Sequence, residues 1–131
     1  MELKNQVVSL KLAKKMKELG FEQESAFYWV ITLTTDYHLS FYDNDLPQCL
    51  KERNDCYSAY TVAELGKMLP SYYFSEGRRY KIYCDKDELT DDWIIKIINN
   101  EKEVECGFAD TEADGRAKCL IYLVEKIKLL L

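Results

Sequence analysis

The chain has 131 residues, 47% hydrophobic and 31% charged, with five glycines and two prolines, a composition that fits one globular domain over residues 1–131 and excludes a disordered or linker-rich chain. No apolar run reaches the roughly 18 residues of a membrane span, and Met1-Glu2-Leu3-Lys4 lacks the basic-then-apolar order of a secretion signal, so the sequence predicts a chain that stays where it is made. The net charge of −5 is uneven, +3 over residues 1–20 and −8 over the remainder, and an acidic body argues against broad capture of nucleic acid.

Leu12, Ala13, Met16 and Leu19 recur at helical spacing with Lys11, Lys14, Lys15 and Lys17 around them, which predicts a helix over 9–19. Ser9 stands where an N-cap belongs, and Gly20 where a left-handed C′ residue belongs. Residues 25–33, rich in aromatic and β-branched side chains, predict a strand, residues 34–37 a turn, and His38 to Tyr42 a returning strand. Asp43 to Pro47 breaks regular structure, and residues 48–59 match no single element. Over 60–69, Thr61 and Glu64 are spaced as a capping box, Tyr60 and Leu65 as the hydrophobic staple across it, and Pro70 stops the helix.

Arg79 to Cys84 predicts a further strand. Trp93 to Ile98 and Glu103 to Phe108, joined by a polar turn at 99–102, predict a hairpin with Val104, Cys106 and Phe108 on one face. The last helix starts near Thr111, with Asp114 three positions on, and carries Ala113, Ala117, Leu120, Ile121, Val124, Ile127 and Leu131 as one apolar stripe. Gly115 lies in its first turn, where small residues allow a close approach to a sheet. Helices with one apolar face each, interleaved with strands, predict an α+β fold: an antiparallel sheet of about four to five strands with two or three helices packed on it.

Reactive constellations are absent from the sequence pattern. His38 is the single histidine, and nothing in its surroundings pairs it with a nucleophile, so an ordinary strand histidine is the plainer reading. The five cysteines, at 49, 56, 84, 106 and 119, show neither the even count of a secreted disulfide framework nor the close pairs of a zinc site, which predicts reduced, mostly buried thiols and no metal. Asp43-Asn44-Asp45 lacks the glycine and terminal glutamate of a calcium loop, and no glycine-rich phosphate loop occurs. Asp85, Asp87, Glu88, Asp91 and Asp92 cluster in a short connection and read as a solvated acidic loop. No cofactor is expected.

Two surface features have the composition of binding sites. Tyr72, Tyr73 and Phe74 followed by Arg78 and Arg79 place aromatics beside arginines, as in interface hot spots and base-stacking platforms. The competing reading is a sheet edge with half-buried aromatics. The lysines of the first helix form the second feature, for which a solvated helix face is the usual meaning.

Three blocks carry a resemblance: Ser9 to Gly20 with Gln23-Glu24-Ser25 and Phe27-Tyr28-Trp29, Tyr60 to Pro70, and Phe108 to Glu125. In this order they resemble a family of small uncharacterised proteins of phages, prophages and other bacterial mobile elements, over most of the chain and weakest at 34–58 and 71–92. In similar proteins the position of Gly115 tends to be alanine. The resemblance implies an accessory role in the bacterial cytoplasm and carries over no activity. The sequence therefore predicts a non-enzymatic module that binds a protein partner or itself, through Tyr72, Tyr73, Phe74, Arg78 and Arg79. A nucleic-acid-binding regulator is the alternative, and a small enzyme using His38 or a cysteine is the less supported third.

Overall fold

The computed structural model describes residues 2–31, 36–42, 55–75, 77–99 and 103–126. After a 3-10 turn at Leu3–Asn5 come α1 (Leu10–Glu18), β1 (Phe27–Ile31), β2 (Tyr37–Phe41), β3 (Tyr57–Ser58), α2 (Val62–Met68), β4 (Tyr72–Ser75), β5 (Arg78–Lys86), β6 (Trp93–Ile98), β7 (Glu103–Ala109) and α3 (Glu112–Lys126). The fold is α+β, and all its described strand pairs are antiparallel. The strands divide between two sheets, a smaller one of order β2-β1-β3 and a larger one of order β4-β5-β6-β7, where hydrophobic patterning alone suggested one common sheet. The segments expected as a turn at 34–35, a break at 43–47 and a turn at 100–102 lie outside the described residues, as do Ile127 and Leu131.

Local chemistry fixes the helix ends. In α2 the Thr61 hydroxyl accepts from the Glu64 N–H at 3.2 Å and the Glu64 carboxylate accepts from the Thr61 N–H at 2.8 Å, which completes the capping box. Tyr60 and Leu65 are both buried in the same cluster, as a staple requires. The second Glu64 oxygen accepts from the Ala26 N–H at 3.0 Å, so one carboxylate closes α2 and anchors the approach to β1. At the end of α1, Gly20 takes φ +94°, and the N–H groups of Gly20 and Phe21 donate to the carbonyls of Lys17 and Met16, a Schellman ending. Ser9 holds the N-cap position of α1, but its hydroxyl makes no cap bond. Its N–H donates instead to Asp114 Oδ1 at 2.7 Å, while the Asp114 N–H donates to the Thr111 hydroxyl at 3.2 Å. Asp114 thereby ties the starts of α1 and α3 together.

The last helix is buried on two sides, not on one. Ala113, Ala117, Leu120 and Ile121 pack with Ala13 and Met16 of α1 and Leu65 of α2. Cys119 and Leu123 pack instead with Ile95 and Ile97 of β6, and Ile82 and Cys84 of β5 flank them. Gly115 belongs to this second side: a Cβ there would stand 3.4 Å from Trp93 Cβ and 3.6 Å from Ile95 Cγ1. The second stripe, at 115, 119 and 123, steps by four residues and marks where α3 lies against the larger sheet. Trp29 of β1 packs on the helical cluster and its indole N–H donates to the Val8 carbonyl at 2.9 Å, which joins the smaller sheet to the N-terminal segment.

One face of the larger sheet is therefore covered. The ladder registers Ile82 with Ile97 and Cys84 with Ile95 on that side, so Lys81, Tyr83, Asp85, Ile94, Lys96 and Ile98 alternate to the other. In β7 the register shifts opposite Ile95 and Lys96, which pair with Gly107 and Glu105 and leave Cys106 as the extra residue. The bulge changes the expected alternation: Val104 pairs with the inward Ile97, whereas Phe108 pairs with the outward Ile94 and is half exposed. Val104 and Phe108 thus do not share a face.

Candidate binding face of the larger sheet

The uncovered face is built mainly by β4 and β5. Strand alternation along β5 sets Arg79, Lys81, Tyr83 and Asp85 on it, and the β4 register brings Tyr72 opposite Lys81 and Phe74 opposite Arg79. Phe74 is 73% exposed, Phe108 50% and Tyr72 43%, values an aromatic side chain in a covered sheet would not have. The Arg79 guanidinium stands over the Tyr72 ring at 4.7 Å and the Lys81 ammonium over the Tyr83 ring at 4.7 Å. These cation–π contacts hold both positive charges on the face in fixed places. Lys96, in the middle of the face, is paired with Glu103 at 3.1 Å.

Between these side chains lies an open groove of about 620 Å³, walled by Tyr72, Tyr83 and Ile98 and lined by Arg78, Arg79 and Lys81. Asn99 completes the lining, and no carboxylate contributes to it among the described residues. Among the described residues, the charged side chains of the lining are Arg78, Arg79 and Lys81, on a protein of net charge −5. Such a groove attracts an anionic group, and its aromatic walls offer apolar contact beside it.

Of the five residues singled out in the sequence, Tyr72, Phe74 and Arg79 share the open face and Arg78 lines the groove at the start of β5. Tyr73 pairs with Tyr80, whose side chain packs into the covered core. Lys81, Tyr83, Ile98 and Phe108 were not singled out. The period-two alternation of β5 contained the signal for Lys81 and Tyr83; Ile98 and Phe108 reach the face only through strand pairing and the bulge.

The other sequence candidates lie elsewhere. His38 is exposed on β2, opposite Val30 in the smaller sheet. Cys56 and Cys119 are buried thiols. Burial pushes the Cys84 thiol up to about 11, an effect Arg116 offsets in part while Glu112 and Asp85 add to it, so at neutral pH it is protonated and a poor nucleophile. Cys49 lies outside the described residues. Among the described residues, no group of three or more His, Cys, Asp or Glu side chains is placed to hold a metal. The lysines of α1 are largely engaged: Lys14 stands over the rings of Tyr37 and Tyr57, Lys17 donates to the Cys56 carbonyl at 2.8 Å, and Lys15 lies 3.9 Å from Glu125. A second cleft of about 670 Å³ lies between the 3-10 turn, Phe27, Val62 and Trp93, with Asp91, Asp110 and Glu112 at its wall. Its two lining hydroxyls, Thr61 and Thr111, serve as helix caps that accept from the Glu64 and Asp114 N–H groups, and Lys86 is the single cation of its lining among the described residues.

No described helix is long and apolar enough to cross a membrane. Comparisons with known protein families, curated proteins and solved structures return no match.

Proposed function

We propose that this chain is a non-enzymatic protein-binding module whose working surface is the open face of the larger sheet. One observation carries this reading: the sheet buries one side under α3 and leaves on the other an exposed aromatic surface with a three-cation groove. Exposed contiguous aromatics flanked by arginine are the usual anatomy of an interface core and its anchors. A cytoplasmic accessory role in a phage or prophage setting is supported by the three sequence blocks that carry the family resemblance.

The same surface is less suited to stacking nucleobases. The protein's net charge of −5 opposes a polyanion, which a stacked single strand would bring to this face. A carboxylate from a protein partner can approach the cations from the solvent side and leave both rings in place. The first-helix alternative is weakened further by the engagement of Lys14, Lys15 and Lys17.

The test is affinity capture from cells that carry the gene, comparing the wild-type chain with Arg79→Glu and Tyr72→Ala. Both substitutions change exposed side chains and leave the covered core intact. The reading predicts a protein retained by the wild type and lost by both variants. A captured protein that both variants retain unchanged would show that the open face is not the working surface.

A further inference from the structure

We propose that the larger sheet takes an extended acidic segment of a partner protein, which adds as a further strand along the outer edge of β4 and turns its carboxylates toward Arg79 and Lys81. This rests on the reading above and gives the partner's chemistry and its mode of binding.

The register of β4 decides which of its backbone groups face outward. The Ile82 N–H donates to the Ser71 carbonyl at 3.2 Å, so Ser71 and Ile82 are a hydrogen-bonded pair of the antiparallel ladder. Such pairs alternate, which makes Tyr73 with Tyr80 and Ser75 with Arg78 the next two. The N–H and C=O groups of Tyr72 and Phe74 therefore point away from β5. β4 stands at the end of the sheet order, and among the described strands it pairs with β5 alone. An antiparallel segment laid along this edge forms one hydrogen-bonded pair with Tyr72 and one with Phe74.

The opposite edge of the sheet is blunted. β7 carries the bulge at Cys106, and the Lys118 ammonium donates to the Phe108 carbonyl at 2.8 Å. Bulges and lysines are the devices that keep an edge strand from pairing. β4 has neither: its register with β5 is unbroken, and its open-face side chains are the exposed Tyr72 and Phe74.

Charge selects the kind of segment. Side chains of the added strand that lie opposite Tyr72 and Phe74 rise on the open face. The next strand inward sets Lys81 opposite Tyr72 and Arg79 opposite Phe74. The Arg79 guanidinium leans across the ladder to stand over the Tyr72 ring at 4.7 Å, which puts its charge above the edge strand itself. It is then about one strand spacing, ~4.8 Å, from the added segment. Arg79 is the nearer anchor, and the Lys81 ammonium, over the Tyr83 ring, is the farther one. The acids of the open face lie away from this edge. Asp85 pairs with Ile94, beyond the β5 residues that β4 reaches. Glu103 is on β7, at the other end of the sheet order, and is paired with Lys96 at 3.1 Å. Carboxylates at alternate positions of the segment are attracted here, and lysines at those positions are repelled. The acidic body does not cancel this preference for a short segment, because charges more than ~8 Å away are largely screened at about 0.15 M salt. A four-residue edge makes a small contact, so the complex is weak and transient.

The probe is a capped hexapeptide of alternating valine and glutamate, titrated into the isotope-labelled chain with amide spectra and hydrogen exchange as readouts. Without peptide, the Tyr72 and Phe74 amides should exchange faster than the Tyr73 amide, whose N–H is bonded in the ladder. The peptide should protect those two amides and shift their signals most. A peptide with lysine in place of glutamate should bind about tenfold more weakly or worse. N-methylation of the glutamates removes the N–H groups that face β4 and should abolish binding, whereas N-methylation of the valines, whose N–H groups face away, should not. Arg79→Glu should weaken binding about tenfold or more. Phe74→Pro deletes an outward N–H and leaves the β4–β5 ladder intact, so it should bind about fivefold more weakly than Phe74→Ala, which loses only the ring. The amide spectra also establish that each variant is folded. No shift at millimolar peptide, equal or tighter binding of the lysine peptide, indifference to glutamate methylation, or Phe74→Pro binding as well as Phe74→Ala would each overturn the proposal. Capture from cells separates this proposal from the reading it rests on. A protein lost by Arg79→Glu but held equally by Phe74→Pro and Phe74→Ala would remove strand addition and leave the binding face; capture indifferent to Arg79→Glu would remove the reading itself.

Discussion

Replacing Gly115 by alanine should stabilise this protein, although the site is fully buried. The helical backbone at this position needs no glycine, since Gly20 and Gly77 are the two glycines with positive φ among the described residues. Alanine in place of glycine contributes about 0.5–1 kcal/mol through the lower entropy of the unfolded chain. The new methyl would meet Trp93 Cβ at 3.4 Å and Ile95 Cγ1 at 3.6 Å, within ordinary van der Waals contact, and would add up to about 0.8 kcal/mol of apolar burial. The expected gain is about 1–1.5 kcal/mol, read by urea denaturation at unchanged slope, with a melting temperature higher by about 3–6 °C. Gly115→Val adds two further methyls beside a position already in contact with Trp93 and Ile95 and should reverse the sign, by about 1–3 kcal/mol relative to alanine. A Gly115→Ala chain less stable than wild type would show that α3 lies closer to the sheet than these distances state, and the two-sided packing of that helix would need revision.

Glu64→Ala should destabilise the fold by about 2 kcal/mol, more than Thr61→Ala at about 1 kcal/mol, because the carboxylate serves both the cap and the Ala26 N–H; chemical denaturation of both variants measures the difference. Tyr60→Phe should cost about 1 kcal/mol through the lost bond from its hydroxyl to the Glu22 carbonyl, measured in the same way. Burial raises the Tyr60 phenol and pushes the Cys84 thiol from 9.0 to about 11, so the unfolded chain releases both protons before the folded one does. The Cys84 contribution to stability is complete below pH 9.0 and is lost as pH rises through about 11, and Cys84→Ala should flatten that part of a stability–pH curve. A fluorescent single-stranded oligonucleotide of about 15 nucleotides should show no anisotropy change with this protein at roughly 0.15 M salt.

The sequence specified the local structure well where side chains bond to their own backbone neighbours. The Thr61–Glu64 box, the Tyr60–Leu65 staple and the Gly20 ending all rest on spacings within six residues, and all are present. The α+β class followed from the same patterns. What the sequence did not disclose depends on pairing. The division into two sheets turns on which strands meet, and Phe27–Ile31 carries the same aromatic and β-branched signal whichever sheet it joins. The second buried side of α3 is masked by its composition, since Gly115 and Cys119 do not read as an apolar stripe beside Ala113, Ala117 and Leu120. The exposed state of Phe108 follows from a bulge that period-two alternation does not anticipate. The site was partly legible for the same reason: Tyr72, Phe74, Arg78 and Arg79 are adjacent in the chain, whereas Ile98 joins them only across the β5–β6 ladder.

Site-specific photocrosslinking tests the working surface most directly. A benzophenone side chain placed at position 83, in the centre of the open face, should form a covalent adduct with a protein in the cells that carry the gene, whether a second copy or another chain. The same probe at position 11, on the exposed flank of α1, should form none. Adducts from position 11 with none from position 83 would contradict the assignment of the binding surface to the larger sheet.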